Sequence, residues 1–559
     1  MKRTSFYLVL IILSIQMFSQ NIPYNAMPDW QSTPLGHVAT GLAIADINND
    51  GWKDIVAANG NDMQRQNLVV YYNNGDGSFP LAPSWSSADV DYHGHCAAGD
   101  INKDGLIDIA VSVYIGASGF SSPGKVKVYY NTGNELEATP SFQSAEFYNF
   151  SCALGDADAD GDLDLAVAAS ESYNEIWDYG KVYLNNNGLF STYPEWQTSN
   201  LMGAMDVEFA DMDKNGFQDL VFICNEFPNY IYLADQNGTI DPDPDWQSSE
   251  AITFNNSIDI GFFGEEKIPG FVTTGNNQLG GDGKVRFYDF STGVPANSAA
   301  SWLSPAFGYG SGVMLADVTR DGNPDLIYGG WWLPIKIIPG TGYSFEAEPV
   351  YTSSTASVVE TIQLADLGRE AVVTMYDTIT GLSSPSKTIR LRPQLVENIL
   401  AVYKNGIELS HQQYCFVPNK NWISLSDPAN DWDVFIVKYE TSADPDMVIT
   451  NWDSSKGNYI FYNTNISTFV FENNPPIENT FSLNPNPAKD FLSIVAECPL
   501  TGNMVLKIID LTGQTILMQV INPFTGSVLT DVSKLYPGLY FVTLSTEGKV
   551  FGIKKLVVE

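Results

Sequence analysis

Residues Asp46–Asp54 read DINNDGWKD, and the pattern returns as DINKDGLID from Asp100, DADADGDLD from Asp156, DMDKNGFQD from Asp211 and DVTRDGNPD from Asp317. Each copy runs into an apolar stretch such as IVAA, IAVS or LAVAA, the mark of a buried strand. About fifteen residues upstream lies an aromatic followed by Gln, Ser, Thr or Leu: Trp30, Trp85, Phe142, Trp196, Trp246, Trp302 and Tyr351. The aromatic register has two members more than the acidic one, and these expose decayed copies. One is FFGEEKIPG (Phe262–Gly270), which lacks acids at its first and last positions; the other begins at Asp366. A third element recurs later in the units, as VVYYNNGDGSF from Val69, VKVYYNTG from Val126, GKVYLNNNG from Gly180, GKVRFYDFSTG from Gly283 and GNYIFYNTN from Gly457.

A period of about 55 residues holding about four short strands is the repeat of a β-propeller, because each small sheet can bury its faces only against its neighbours. The predicted fold is all-β: a seven-bladed propeller over residues 20–475 and a C-terminal β-sandwich over residues 476–559. The seventh unit is interrupted. Leu364–Asp366 should lead directly into a strand, yet the matching PDMVITNW arrives only at Pro445–Trp452. Between them TIRLRP, ILAVYKNGIEL, NWISL and DVFIVKYE alternate like strands, with a hairpin signal at Asn405-Gly406. An inserted β-module over residues 367–443 fits better than a long structureless loop.

Composition agrees and excludes several classes. With 44% hydrophobic and 17% charged residues, the 559-residue chain has material for packed cores and too little charge for a disordered polymer. Its 28 Lys plus Arg against 65 Asp plus Glu give a net charge of -37, which repels nucleic acid and anionic lipid. Met1, Lys2 and Arg3 followed by the apolar run Phe6–Ile15 and small Ser19 read as a signal peptide over residues 1–19. That run is too short to span a bilayer comfortably, and no transmembrane segment is expected. Cys96, Cys152, Cys224, Cys415 and Cys498 are scattered without zinc spacing and read as buried thiols.

In each nine-residue loop the side chains at positions 1, 3, 5 and 9 carry oxygen. Gly at position 6 permits a sharp turn that lets the carbonyl at position 7 join them. Carboxylates drawn so close repel one another unless a hard cation sits among them, and an all-oxygen set selects Ca2+ over zinc or copper. The proposed ligands are Asp46, Asn48, Asp50 and Asp54; Asp100, Asn102, Asp104 and Asp108; and Asp156, Asp158, Asp160 and Asp164. To these are added Asp211, Asp213, Asn215 and Asp219, and then Asp317, Thr319, Asp321 and Asp325. The carbonyls of Trp52, Leu106, Asp162, Phe217 and Asn323 complete the sets, giving four or five calcium sites, the fifth with the poorest donors. The bland alternative is a series of solvated Asx-Gly turns. An EF-hand is excluded, since the last acid stands at position 9 and a strand follows in place of a helix.

These loops resemble the FG-GAP or VCBS repeats of the integrin alpha-chain propeller family, with matching positions in five of the seven units. The resemblance implies that calcium sits in the turn between the innermost two strands, on the face opposite the ligand-binding surface, and that the ions are structural. The last eighty or so residues resemble a second family. NPNPAKDFLSI (Asn484–Ile494), LKIIDLTGQTI (Leu506–Ile516), LYPGLYFVTL (Leu535–Leu544) and IKKLVV (Ile553–Val558) look like the type A C-terminal sorting domain of the type IX secretion system. That resemblance implies the secretion machinery as a partner, passage across both membranes of a Gram-negative cell, and release or attachment at the outer surface.

No active site is visible. There is no GxSxG, HExxH or Walker pattern, and most obvious carboxylate clusters are assigned to calcium. His93-Gly94-His95 reads as a polar loop, with no further ligand near it at metal spacing. Aromatics expected on the rim opposite the acidic loops include Tyr92, Tyr148, Phe150, Tyr173, Trp177, Tyr179, Phe307, Tyr309, Trp331, Trp332 and Trp452. The candidate ligand-binding residues are Tyr92, His93, His95, Trp177, Trp331 and Trp332, against the plainer reading of packing between blades. The expected function is that of a calcium-stabilised, secreted or surface-bound binding or adhesion module for polysaccharide or protein. A propeller-based polysaccharide lyase or hydrolase is the competing reading.

Overall fold

The computed structural model describes residues 22–464 and 481–558, apart from 252–253, 265, 278–279, 295–296, 370–371, 384, 394, 443, 490, 497–503, 510–514, 522–526 and 547–548. The signal peptide expected over residues 1–19 and Cys498 lie outside the described residues.

The acidic loops set the chain's first reversals. Ala39–Ala45 runs into the first loop, and Asp54–Asn59 returns antiparallel beside it, followed by Leu68–Tyr71 and the short outer strand Trp85–Ser86. Five further sheets repeat this order, with inner strands Tyr92–Gly99, Ser151–Gly155, Ala204–Ala210, Asn255–Phe263 and Gly310–Ala316. In these, Phe142, Trp196, Trp246, Trp302 and Tyr351 each open the outermost strand. The sequence repeat is therefore offset from the sheet by one strand, because the aromatic that precedes an acidic loop closes the blade before it.

The seventh sheet explains Trp30. It orders Ser357–Ala365, Asp446–Asn451 and Tyr459–Phe461, and its outer strand is Trp30–Gln31 from the other end of the chain, with Trp30 opposite Ile460. Among the described residues there are seven such units. Their inner strands touch in sequence, and Ser357–Ala365 contacts Ala39–Ala45, so the ring closes. Inner and second strands are almost wholly buried, as expected of sheets covered on both faces. The cores between sheets are built from such residues as Val207, Phe209, Leu220 and Phe222, and Val272, Phe287, Leu315 and Leu326.

Two small sheets interrupt the seventh unit. One orders Val372–Ile379, Phe435–Ser442, Asn398–Lys404 and Ile407–Glu408; the other orders Ser386–Arg390, Trp422–Ala429 and Tyr414–Phe416. They enclose a separate core including Ile389, Val402, Ile423 and Val437. Asn405 and Gly406 both take positive φ, 52° and 79°, as a type I′ hairpin requires. The C-terminal residues form two further antiparallel sheets. Phe481–Asn484, Phe491–Ala496 and Ser527–Asp531 make one, and Thr515–Ile521, Met504–Ile509, Gly538–Thr546 and Lys549–Val558 the other, around Leu492, Ile494, Leu506 and Val542. No helix of the described residues is long and apolar enough to cross a membrane.

Candidate metal centres and ligand face

Each acidic loop joins the inner strand of its sheet to the second, and all five share one hydrogen-bond pattern. The position 6 amide donates to the position 1 carboxylate: Gly51 to Asp46 at 2.8 Å, Gly105 to Asp100 at 3.0 Å, Gly161 to Asp156 at 3.1 Å, Gly216 to Asp211 at 3.1 Å and Gly322 to Asp317 at 2.9 Å. These glycines lie at φ 88–90°, where a Cβ would be strained. Position 4 is also left-handed, at Asn49, Lys103, Ala159, Lys214 and Arg320, with φ between 58° and 62°. Two left-handed turns in so short a loop fold the odd-numbered side chains inward.

The position 9 carboxylate ties the backbone on two sides. In the first loop Asp54 Oδ2 accepts the Ile47 amide at 2.9 Å, while Oδ1 accepts the amide of Asn73, just after the third strand, at 2.9 Å. Asp108, Asp164, Asp219 and Asp325 repeat both bonds. Each is fully buried. Burial raises their carboxyl groups, Asp54, Asp108 and Asp325 to about 7, and backbone amides only partly offset this. A cation in the loop would reverse that cost.

The side chains fit a hard cation. Asp156, Asp158 and Asp160 bring carboxylate oxygens within 4.8 Å of one another, as do Asp211, Asp213 and Asp219. Asp100 Oδ1 and Asp211 Oδ1 are buried without a hydrogen-bond partner, the condition of an oxygen awaiting an ion. Asn48 Nδ2 instead donates to Asp50 Oδ2 at 2.9 Å, and Asn102 Nδ2 to Asp104 Oδ2 at 3.0 Å, so in the first two loops both partners present oxygen only after the amide turns. In the fifth loop Thr319 Oγ1 donates to Asp325 Oδ1 at 3.1 Å, which engages that acid with its own loop.

The two decayed units differ in kind. At the fifth sheet Phe263 passes to Ile268 through a tight turn, and the Arg390 guanidinium of the inserted module lies 4.5 Å from the Phe262 ring centre. At the seventh, Leu367 and Arg369 (φ 61°) keep positions 2 and 4, and the insertion enters after them.

An asparagine pattern escaped the sequence reading, although it was written in the third element. Asn131 Nδ2 donates to the Ile107 carbonyl of its own sheet (3.0 Å) and to the Ile47 carbonyl of the preceding one (2.8 Å). Asn185 does the same to Leu163 and Ile101, and Asn73 to Lys53 and Leu367. These amides rivet neighbouring blades.

The inserted module lies on the acidic-loop side. Ser424 Oγ donates to Asp156 Oδ2 at 2.5 Å, the Lys387 amide to the Gly216 carbonyl at 2.8 Å, and Asn419 Nδ2 to the Ile44 carbonyl at 3.2 Å.

On the opposite rim the candidate ligand residues separate. His93 is wholly buried and donates from Nδ1 to the Asn59 carbonyl at 2.7 Å, so it is a packing residue and not part of an exposed face. His95 lines the central channel, 3.1 Å from Ser151 Oγ. Trp177 packs on Phe227 and Tyr92 is half-buried. Trp331 is buried, stacked on Trp452 at 5.4 Å with planes 8° apart, and donates from Nε1 to Glu360 Oε1 at 2.8 Å. Trp332 is 53% exposed beside Tyr309 and sits at φ 56°. Beneath this cluster a narrow cleft of about 30 Å3 is lined by Tyr114, Tyr173, Trp331, Trp452, Asp62 and Glu360. Cys96, Cys152, Cys224 and Cys415 are buried and unbridged.

Comparison with known proteins places these features. Residues 33–111 and 156–222 match the FG-GAP-like repeat model, and residues 482–559 match the secretion system C-terminal sorting domain. Mouse integrin alpha-3 is 32% identical over 118 residues, 19% of this chain and 10% of that protein. Human integrin alpha-7 is 33% identical over 108 residues, 18% of this chain and 9% of that protein. The chain thus spans about a tenth of the length of these relatives. Among solved structures, BBS1N in complex with ARL6DN aligns over 62% of this chain and 92% of that one, at 13% identity and TM-score 0.40. The Dos1 propeller aligns over 57% and 72%, at 10% identity and TM-score 0.36. The chain carries FG-GAP-like repeats, similar to those of integrin alpha chains, on an all-β propeller followed by residues that match the secretion system C-terminal sorting domain.

Proposed function

We propose that the chain is exported through its C-terminal sorting domain and acts outside the cell as a calcium-stabilised propeller that binds polysaccharide or protein on the rim opposite its acidic loops. The observation that carries this reading is Trp332. A bulky side chain held at φ 56° and left 53% exposed costs backbone strain and hydrophobic hydration together. A ligand covering it would relieve the second cost, and the neighbouring half-buried Tyr309 ring widens the apolar surface, with the stack of buried Trp331 on Trp452 supporting it from beneath. The acidic-loop side is the poorer candidate, since the inserted module already contacts it. Four or five calcium ions would hold the inner turns and take no part in the ligand site.

The test is a glycan array, paired with pull-down of surface proteins, on the mature chain and its Trp332→Ala variant. Binding that falls at least tenfold in the variant, with an unchanged melting temperature, supports the reading. Equal binding by both proteins defeats it.

A further inference from the structure

The central channel holds a cavity of about 200 Å3, lined by inner strands and closed on the acidic-loop side by residues 417–422 of the inserted module. Lys420 enters it from that module. Its Nζ contacts Glu208 Oε1 on the fourth inner strand and lies 3.7 Å from Asp259 Oδ1 on the fifth. Asp206 and His95 complete the charged lining. Asp206 is already satisfied by Ser151 Oγ at 2.5 Å and the Ile258 amide at 3.1 Å. Glu208 Oε2 has no hydrogen-bond partner, although the residue is 93% buried. Asp259 Oδ2 accepts the Leu315 amide from the sixth inner strand at 2.6 Å.

One amine thus stands between two carboxyl groups. One of them is free to take a proton, and the other is polarised by a backbone N–H. We propose that Lys420 and Asp259 form an intramolecular isopeptide bond that staples the inserted module into the channel, with Glu208 as the proton acceptor.

The atoms balance without any co-reactant. The Lys420 ammonium passes one proton to the Glu208 carboxylate. The neutral Nζ then attacks Cγ of protonated Asp259, and charge gathers on Oδ2, where the Leu315 N–H is placed to stabilise it. The Nζ–Cγ bond forms, and the Cγ–Oδ1 bond breaks. Oδ1 departs as water, carrying its own proton and a second one from Nζ. The proton on Glu208 exchanges with solvent.

The surroundings favour the reactive protonation states. Burial lowers the Lys420 ammonium to about 8, and burial raises Asp259 to about 7. The fold places nucleophile and acceptor side by side, Nζ 3.7 Å from Asp259 Oδ1, which supplies the effective concentration that amide formation in water lacks.

The experiment is intact-mass spectrometry of the exported protein, followed by tryptic peptide mapping. The expected result is a chain lighter than its processed sequence by one water, with a branched peptide joining Lys420 to Asp259. Lys420→Arg and Asp259→Ala should restore the full mass, and Glu208→Gln should slow or abolish the loss. The wild-type measurement decides the matter even if a variant misfolds. Full mass with linear peptides for Lys420 and Asp259 overturns the proposal, and so does a branch that ends on Glu208.

Discussion

The Leu367 amide donates to Asp446 Oδ2 at 3.0 Å across 79 residues of chain. Asp446 Oδ1 accepts the Asn463 amide at 2.8 Å. These are the two bonds that Asp54 makes to Ile47 and Asn73 in the first unit. Asp446 is therefore the ninth position of a seventh loop, and the inserted module is spliced between positions 4 and 9 of that loop. Asp446→Ala should leave one buried and one half-buried amide without acceptors and lower unfolding free energy by about 2–4 kcal/mol. Urea denaturation followed by tryptophan fluorescence measures it, and a change under about 0.5 kcal/mol would show that the loop no longer needs its anchor.

Removing divalent ions tests the remaining loops together. An ion that binds only the folded ring stabilises it by RT ln(1 + [L]/Kd), or about 4 kcal/mol per site at a thousandfold excess over Kd. EGTA should therefore lower the melting temperature, and millimolar calcium should restore it. Asp211→Asn should remove part of this effect, since Asp211, Asp213 and Asp219 converge and Asp211 Oδ1 lacks any other partner. A melt that ignores both EGTA and calcium would mean that backbone amides alone satisfy these acids.

Much of this was legible in the chain and some was not, for physical reasons. The recurrence of DINNDGWKD announced stacked blades because a repeated local hydrogen-bond pattern needs a repeated local sequence. The closure by Trp30 could not be read from the seven aromatics, which match the seven units one to one, since pairing with Ile460 depends on the whole ring. His93 looked like part of a polar loop, but a neighbouring strand's carbonyl holds it inside. Lys420 carried no signal at all. Its role comes from two inner strands brought together around a channel, and no spacing in the chain records that.

The asparagine rivets give a packing prediction. Asn131 joins two blades through a single amide group, and its Oδ1 also accepts the Gly133 amide at 2.9 Å. Asn131→Ala should strand one buried and one half-buried carbonyl and cost about 2 kcal/mol. Asn185→Ala should behave alike through Ile101 and Leu163. The double variant should show close to the sum of both losses, because the sites share no partner. Equal stability of Asn131→Ala and the parent in urea would show that water replaces the rivet.

Glu360 sets a pH dependence whose sign can be worked out. It is 3% exposed, hydrogen-bonded by Ser311 Oγ and Trp331 Nε1, and burial raises its carboxyl from 4.5 to about 7. Below the unfolded value both states hold the proton, and the folded state suffers no penalty. Between 4.5 and about 7 the unfolded chain has released its proton while the folded one retains it, so stability falls as pH rises through this window. Above about 7 the penalty is complete, because the folded protein must carry the buried charge. Glu360→Gln removes the titration and keeps an acceptor for Trp331. In calcium-saturated buffer the variant should gain stability over the parent as pH rises from 4.5 to 8, with the difference levelling off above 7. A constant difference across that range would show that Glu360 is ionised throughout, and that Ser311 and Trp331 compensate its burial.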